Sequence, residues 1–460
     1  MERDIKEFMH EIAKVNRNKG ENRNYFDYLD GIDLVIEELK PRLKNNLNEE
    51  INNMNKEVVK KDKHYLKKHK DIHRDMVTDI IMTKGIHIKG YEGNKIYDFI
   101  EEVVEEICGY SILAKAFNDP EISDIYVITW DTIFVEKKGK NQPYTDDQGN
   151  RIFFRSAKHY KDVLERFIRD AGKEINIGEH KIVDFEIYGD RGCATSTAVS
   201  PKDYSLTIRK HAEQHITKDQ LIEWNTLSEE VADFLGLLLL GETNIIYAGI
   251  TGSGKTTTIR ALLDHYITKA NKRIIVCEDT QELNLKNEHT LELVSFRHND
   301  ENQAITQEQL ILTSLRLKPK YIVVGEVRGK EAMAMVEGAE TGHSTISTMH
   351  GNNPENIVNR LVTKYITAMP TLTNDVVERI IGSSVDYICI QDNIQGIGFK
   401  LTSISEIGYD YGNKCITIKP ICKFDLISKK FKWLEKISME KAEKMMRRGI
   451  TWDQIKNFVE

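Results

Sequence analysis

The stretch Asn244-Ile245-Ile246-Tyr247-Ala248-Gly249-Ile250-Thr251-Gly252-Ser253-Gly254-Lys255-Thr256-Thr257 decides how this chain is read. Asn244 through Ala248 form a short apolar strand and Gly249 through Gly254 a glycine-rich loop, and from Lys255 to Tyr266 the apolar positions recur at helical spacing. A G-x-x-x-x-G-K-T pattern between strand and helix is a phosphate-binding loop in the setting it requires. Without side chains at Gly249, Gly252 and Gly254, the backbone N–H groups of the loop, with Thr251 and Ser253, can wrap phosphate oxygens, and the helix amino terminus adds partial positive charge. Lys255 then reaches the β- and γ-phosphates of a nucleotide read as ATP. Thr256 offers a hydroxyl to Mg²⁺, a hard cation that prefers oxygen, with Thr257 behind it.

Two further strands point to the same site. Residues 273–277 form an apolar strand that ends in Glu278-Asp279, and ligands of parallel sheets sit at the carboxyl ends of strands. These carboxylates either hold Mg²⁺, partly through water, or are a solvated strand end; Glu282 is a third candidate. Tyr321–Val324 ends in Gly325-Glu326, which makes Glu326 the general-base or water-positioning candidate. No Asp precedes Glu326, so Glu278 and Asp279 are expected to serve magnesium through water. A Ser/Thr-rich strand carries His343 and His350, whose seven-residue spacing matches no metal motif.

Outward from this centre, residues 229–425 alternate helices with apolar strands, as expected of an α/β domain with a mostly parallel sheet. Residues 212–228 read as a linker and 96–211 as a smaller α+β domain, with helices over 96–117 and 158–171 and strands at Ile122–Thr129 and Thr132–Lys137. Residues 1–95 read as a helical, partly flexible region in which 43–73 is so polar that it is a solvated helix or an arm. Antiparallel strands are expected over 400–407 and 414–424, and a helical extension over 426–460. At 460 residues the chain has room for two or three such cores.

Composition narrows the function classes. The net charge of −7 gives no bulk attraction to nucleic acid or anionic lipid. The six cysteines include no C-x-x-C pair for zinc or thiol exchange, and they read as reduced core residues. The opening MERDIKEF lacks the apolar stretch of a secretory leader, and the most apolar stretch, 234–240, is far short of the ~20 residues that cross a bilayer. A cytoplasmic protein that meets the membrane through partners is expected.

Taken in order, GITGSGKTTT, IIVCEDTQEL, SLRLKPKYIVVGEVRGKEA and ETGHSTISTMHGN resemble the Walker A, Asp box, atypical Walker B and His box of the type II/type IV secretion ATPases. Upstream, ICGYSILAKAFNDPEISDIYV, TIFVEKKGK and YSLTIRKH are similar to the amino-terminal domain of the Tad-pilus branch, so the resemblance covers roughly residues 96–425. It implies a RecA-like P-loop domain preceded by a smaller α+β, PAS-like domain and an N-terminal helical region. By the same resemblance Lys255 and Thr256 bind phosphate and magnesium, Glu278 and Asp279 form the acidic box, Glu326 is the catalytic glutamate, and His343 and His350 sense or align the γ-phosphate. Family members are hexameric rings in which the amino-terminal domain supplies arginines, here Arg209 and Arg191. Arg316 and Arg328 also match motif positions, with structural ion pairing as the alternative. Lys320 departs from the acidic residue of many relatives, and the tetracysteine zinc module of many general secretion ATPases is absent.

The resulting expectation is a homo-hexameric ATPase that drives pilus assembly or protein secretion through an inner-membrane platform or secretion-channel protein, without direct contact to nucleic acid. A conjugative type IV secretion ATPase is the near alternative. A DNA translocase or helicase, marked by DNA-stimulated turnover and steep salt dependence, and a non-hydrolysing P-loop scaffold are the distant ones.

Overall fold

The computed structural model describes residues 25–54, 63–210, 215–296 and 302–459. The chain divides into two compact units between residues 213 and 214; residues 211–214, at the start of the expected linker, lie outside the described residues.

In the first unit, helices Tyr28–Met54 and Lys63–Lys84 flank residues 55–62, which fall outside the described ones. Much of the polar stretch is therefore helix. These two helices and a third, Ile96–Cys108, share a core of Ile32, Val35, Leu39, Val77, Ile80, Phe99 and Val103. Strands β1 (Tyr25–Phe26) and β2 (His87–Ile88) form a short parallel pair. The third helix stops well before residue 117, where the sequence pattern would carry it. Glu105 folds over Gly109 to accept the N–H of Tyr110, at 2.8 Å, and a Cβ on Gly109 would lie 2.0 Å from that carboxylate. Tyr110 then turns inward and stacks on Phe117 at 3.6 Å.

Strands β3 (Ile122–Thr129), β4 (Thr132–Lys137), β5 (Lys140–Pro143), β6 (Ile182–Ile187), β7 (Asp190–Thr195) and β8 (Ser205–Arg209) make an antiparallel sheet in the order β5-β4-β3-β8-β7-β6. Helix Ala157–Asp170, capped by Ser156, which accepts the His159 N–H, buries Tyr160, Val163, Leu164 and Phe167 in the core of this sheet.

The second unit is built on nine strands: β9 (Ile245–Gly249), β10 (Ile274–Glu278), β11 (Thr290–Val294), β12 (Tyr321–Val324), β13 (Ser344–His350), β14 (Tyr387–Ile394), β15 (Gly398–Asp410), β16 (Cys415–Asp425) and β17 (Lys430–Trp433). Their order is β11-β10-β12-β13-β9-β14-β15-β16-β17. The first six run parallel and the last three continue antiparallel from β14. Every residue of β9, β10 and β12 is buried, as parallel strands covered on both faces must be. One face packs on helices Glu229–Leu240 and Lys255–Leu262, the other on Gln307–Ser314, Glu331–Glu340, Pro354–Ala368 and Asn374–Ser384. The apolar run 234–240 is thus a core helix.

Residues 426–460, expected to be helical, begin instead with β17. Its alternation of Lys430, Phe431, Lys432 and Trp433 suits an edge strand whose lysines face water. Helices Met439–Met446 and Trp452–Ile455 follow and bury Ala442, Met445 and Ile455 in the same core as β9.

Candidate active site

The loop after β9 has the backbone its glycines imply. Gly252 and Gly254 have φ of +72° and +81°, left-handed values that side chains disfavour. Gly249 is required by proximity, since a Cβ there would meet the Gln391 main-chain oxygen at 2.1 Å. Lys255 is buried and lays its Nζ over the carbonyls of Gly249 and Ile250, at 3.1 and 2.9 Å. Burial lowers its pKa, while Glu326 and then Glu282 act in the opposite sense. Thr256 and Thr257 are half-buried in the first turn of the following helix, and Thr251 is exposed on the loop.

Glu326 stands just past β12, with its side chain about one-fifth exposed. One carboxylate oxygen accepts from the Arg328 guanidinium at 2.6 Å. The other, Oε1, lies 2.9 Å from His350 Nε2 but is buried and has no aligned hydrogen-bond donor. Burial by itself would raise the pKa of Glu326, yet the Arg328 hydrogen bond and the nearby His350, Arg328 and Lys255 hold it below the ordinary value. His350 is shifted down by burial and then by Lys255, so its imidazole is neutral near pH 7. Glu331 fixes the turn that follows, accepting from the N–H groups of Arg328 and Gly329. An open cleft of about 680 Å³ lies alongside, lined by Thr251, His350, Asn356, Arg360 and Lys364 among others.

The acidic pair at the end of β10 divides, one carboxylate turned inward and the other exposed. Glu278 is 2% exposed, folded inward, and accepts from the N–H groups of Glu282 and Leu283, each at 3.2 Å. Burial pushes its carboxyl up to about 8, and both of its oxygens are engaged by the turn that follows. Asp279 is exposed and takes the Ser295 hydroxyl at 2.9 Å. It is Glu282, the lesser sequence candidate, whose charge reaches Lys255. Among the described residues no group of three or more His, Cys, Asp or Glu side chains is arranged to hold a metal ion.

The two histidines also part company. His350 ends β13 beside Gly249 of the loop strand, whereas His343 precedes β13 and bonds to the Thr341 hydroxyl at 3.0 Å. Seven residues of extended strand separate them by about 23 Å, so His343 belongs to the opposite end of the sheet, away from the phosphate-binding loop. Arg191 and Arg209 lie in the first unit as direct cross-strand partners on β7 and β8. Arg209 Nε bonds Asp124 at 3.0 Å, which counters the repulsion between two like charges set side by side.

Sequence reasoning did not single out Gln391 or Tyr247. Gln391, on β14, is 1% exposed; its Nε2 donates to the Ser253 carbonyl at 2.6 Å, and its Oε1 accepts from the buried Tyr247 hydroxyl at 2.6 Å. A buried amide beside the loop strand leaves no trace in a linear motif.

The arrangement is a phosphate-binding loop set in a parallel α/β sheet, with the loop, the acidic residue and a histidine at the carboxyl ends of the adjacent strands β9, β12 and β13. Residues 192–397 match the family described as Type II/IV secretion system protein. An uncharacterized protein of Methanocaldococcus jannaschii is 34% identical over 269 residues, 57% of this chain and 47% of that protein. The conjugal transfer protein TrbB of Rhizobium radiobacter is 30% identical over 186 residues, 40% of this chain and 54% of TrbB. The chain thus spans about half the length of these curated relatives. Among solved structures, the ATPase DotB of Yersinia pseudotuberculosis is similar with a TM-score of 0.47 and 18% identity, covering 68% of this chain and 81% of that one.

Proposed function

We propose that this chain is a motor subunit that hydrolyses ATP to power pilus assembly, protein secretion or conjugative transfer. The observation that carries the reading is the carboxylate of Glu326, kept ionised by its cationic neighbours and set at the same strand ends as Lys255. Such a group orients water and takes its proton as the new bond to the γ-phosphorus forms and the bond to the leaving β-phosphate oxygen breaks. Lys255 swings from the loop carbonyls to neutralise the transferred group. The hydroxyl of Thr256 would hold Mg²⁺, which supplies further charge neutralisation on the phosphates. Gly249, Thr251, Gly252, Ser253, Gly254 and Thr257 form the cradle. The neutral imidazole of His350 positions Glu326 or the γ-phosphate.

The oligomer in this reading is a homo-hexamer in which Arg209 or Arg191 of one subunit completes the site of the next. Its partner is an inner-membrane platform or secretion-channel protein. Among the described residues no helix is long and apolar enough to cross a membrane. Kinship with a protein named for conjugal transfer favours a second reading, in which the cargo machine is conjugative.

The deciding experiment is ATPase rate against protein concentration, with mass from light scattering, for wild type and Glu326→Gln, with and without single-stranded DNA. A rate per subunit that rises with assembly to about six copies, is indifferent to DNA and collapses in the variant is expected. Strong stimulation by DNA would transfer the chain to the translocases, and an assembled protein without turnover would make it a scaffold.

A further inference from the structure

Gln391 lies far along the sequence from the phosphate-binding loop, yet it touches that loop in three ways. Its main-chain oxygen occupies the space a side chain at position 249 would need. Its Nε2 sits 3.0 Å from where a Cβ on Gly254 would stand. Its amide bridges the Tyr247 hydroxyl and the Ser253 carbonyl, both bonds at 2.6 Å. The orientation of this amide is fixed by its partners. The Ser253 carbonyl can only accept, so the NH₂ end must face it, and Oε1 is left to accept from Tyr247. Tyr247 is 2% exposed, and burial lifts its hydroxyl well above the ordinary value, so it remains a donor.

The Ser253 carbonyl and the Gly254 N–H belong to one trans peptide, in which C=O and N–H point in opposite directions. Holding the carbonyl against Gln391 therefore aims the Gly254 N–H the other way, out of the protein and into the loop. The left-handed backbone of Gly254 lets the chain make this turn. An amide N–H presented in this way is the donor that a phosphate oxygen requires.

The geometry points to Gln391 as a positioning residue for nucleotide binding: braced by Tyr247, it fixes the Ser253–Gly254 peptide so that its N–H faces the phosphates. This rests on the nucleotide-binding reading above and adds to it a tie between the loop and strand β14. It also explains an irregularity in that strand. The β14–β15 register shifts between Ile390 and Gln391, and the Thr402 hydroxyl takes up the Ile390 carbonyl at 3.0 Å, so the sheet breaks step where β14 meets the loop.

The test is a titration with a fluorescent ADP analogue and Mg²⁺, from pH 6 to pH 9, on the full chain carrying Gln391→Glu, Gln391→Met or Tyr247→Phe. Gln391→Glu preserves shape but donates to Ser253 only while the introduced carboxyl is protonated. Its Kd relative to wild type is expected to climb from within about twofold at pH 6 to about tenfold or more at pH 9. Gln391→Met should weaken binding by about tenfold at every pH, and Tyr247→Phe by about two- to fivefold. At saturating ATP, kcat should stay within about threefold in all three, because Glu326 and His350 are carried by other strands. A ratio for Gln391→Glu that is flat with pH, or affinities of folded Gln391→Met within twofold of wild type, would overturn the assignment. Should Gln391→Glu fail to fold, Tyr247→Phe and Gln391→Met decide by the same affinities. A wild type that does not bind the analogue would instead sink the nucleotide-binding reading itself.

Discussion

The two ends of the same parallel strands handle charge in opposite ways. At the carboxyl ends, Glu326, Arg328 and His350 beside the buried Lys255 are partly open to solvent, and Glu326 keeps a buried oxygen with no aligned donor. At the amino ends, Asp386 is 1% exposed and accepts from Lys441 at 2.7 Å, from Lys444 at 2.5 Å and from the Asn244 N–H at 2.7 Å. Glu242 is likewise paired with Lys272 and Arg448, and Glu406 accepts the Ser438 N–H. One end leaves hydrogen-bonding capacity for a ligand, while the other spends it on itself and in doing so fastens the C-terminal helices to the sheet. The difference is between a site and a clasp.

Breaking the clasp should produce the largest effect. Asp386→Ala strands the buried Lys441 ammonium and is expected to cost about 3–5 kcal/mol in unfolding free energy, read by denaturant titration, with nucleotide affinity of the folded fraction unchanged. An equal loss of affinity would show that the two ends are not separable. Glu326→Gln should reverse that pattern, leaving the unfolding midpoint in place while turnover falls by ~10² or more, about 2.7 kcal/mol of barrier. Normal turnover would remove Glu326 from its role.

Glu278 sharpens the comparison, because it lies at the active end but behaves as a buried structural group. Its carboxyl is raised from 4.5 to about 8, chiefly by burial, so between these values the folded state holds a proton that the unfolded chain has released. Its contribution to stability is therefore complete below about pH 4.5 and lost as the pH rises through 8. Glu278→Gln should flatten that part of the stability profile and leave the variant more stable than wild type at pH 9 by on the order of 1–2 kcal/mol. An unchanged slope would mean that Glu278 is ionised after all and free to serve magnesium. The smallest effect is expected at His343: His343→Ala should keep kcat within about twofold, against a loss of about tenfold in His350→Ala. Equal losses would return His343 to the site.

Much of the site was legible because its parts are local. A strand, a glycine loop and a lysine-threonine pair are contiguous, and Glu326 follows its strand directly, so Lys255, Thr256 and Glu326 could be named from the chain alone. The choice between His343 and His350 was also within reach of the sequence, since strand rise alone sets them about 23 Å apart. The choice among Glu278, Asp279 and Glu282 was not. It depends on which carboxylate the turn after β10 folds inward to satisfy the N–H groups of Glu282 and Leu283. The helical reading of 426–460 missed β17 because a four-residue edge strand is defined by its neighbour β16 more than by its own pattern.

By itself, then, the sequence determined the parallel α/β core and the phosphate-binding loop, because buried strands and tight glycine turns write themselves into consecutive residues. Tertiary structure alone decided what braces that loop and what clasps the sheet. Gln391 meets Ser253 across 138 positions and Asp386 meets Asn244 across 142. Only the pairing of β9 with β14 brings those groups within hydrogen-bonding distance, and only burial there makes their bonds matter.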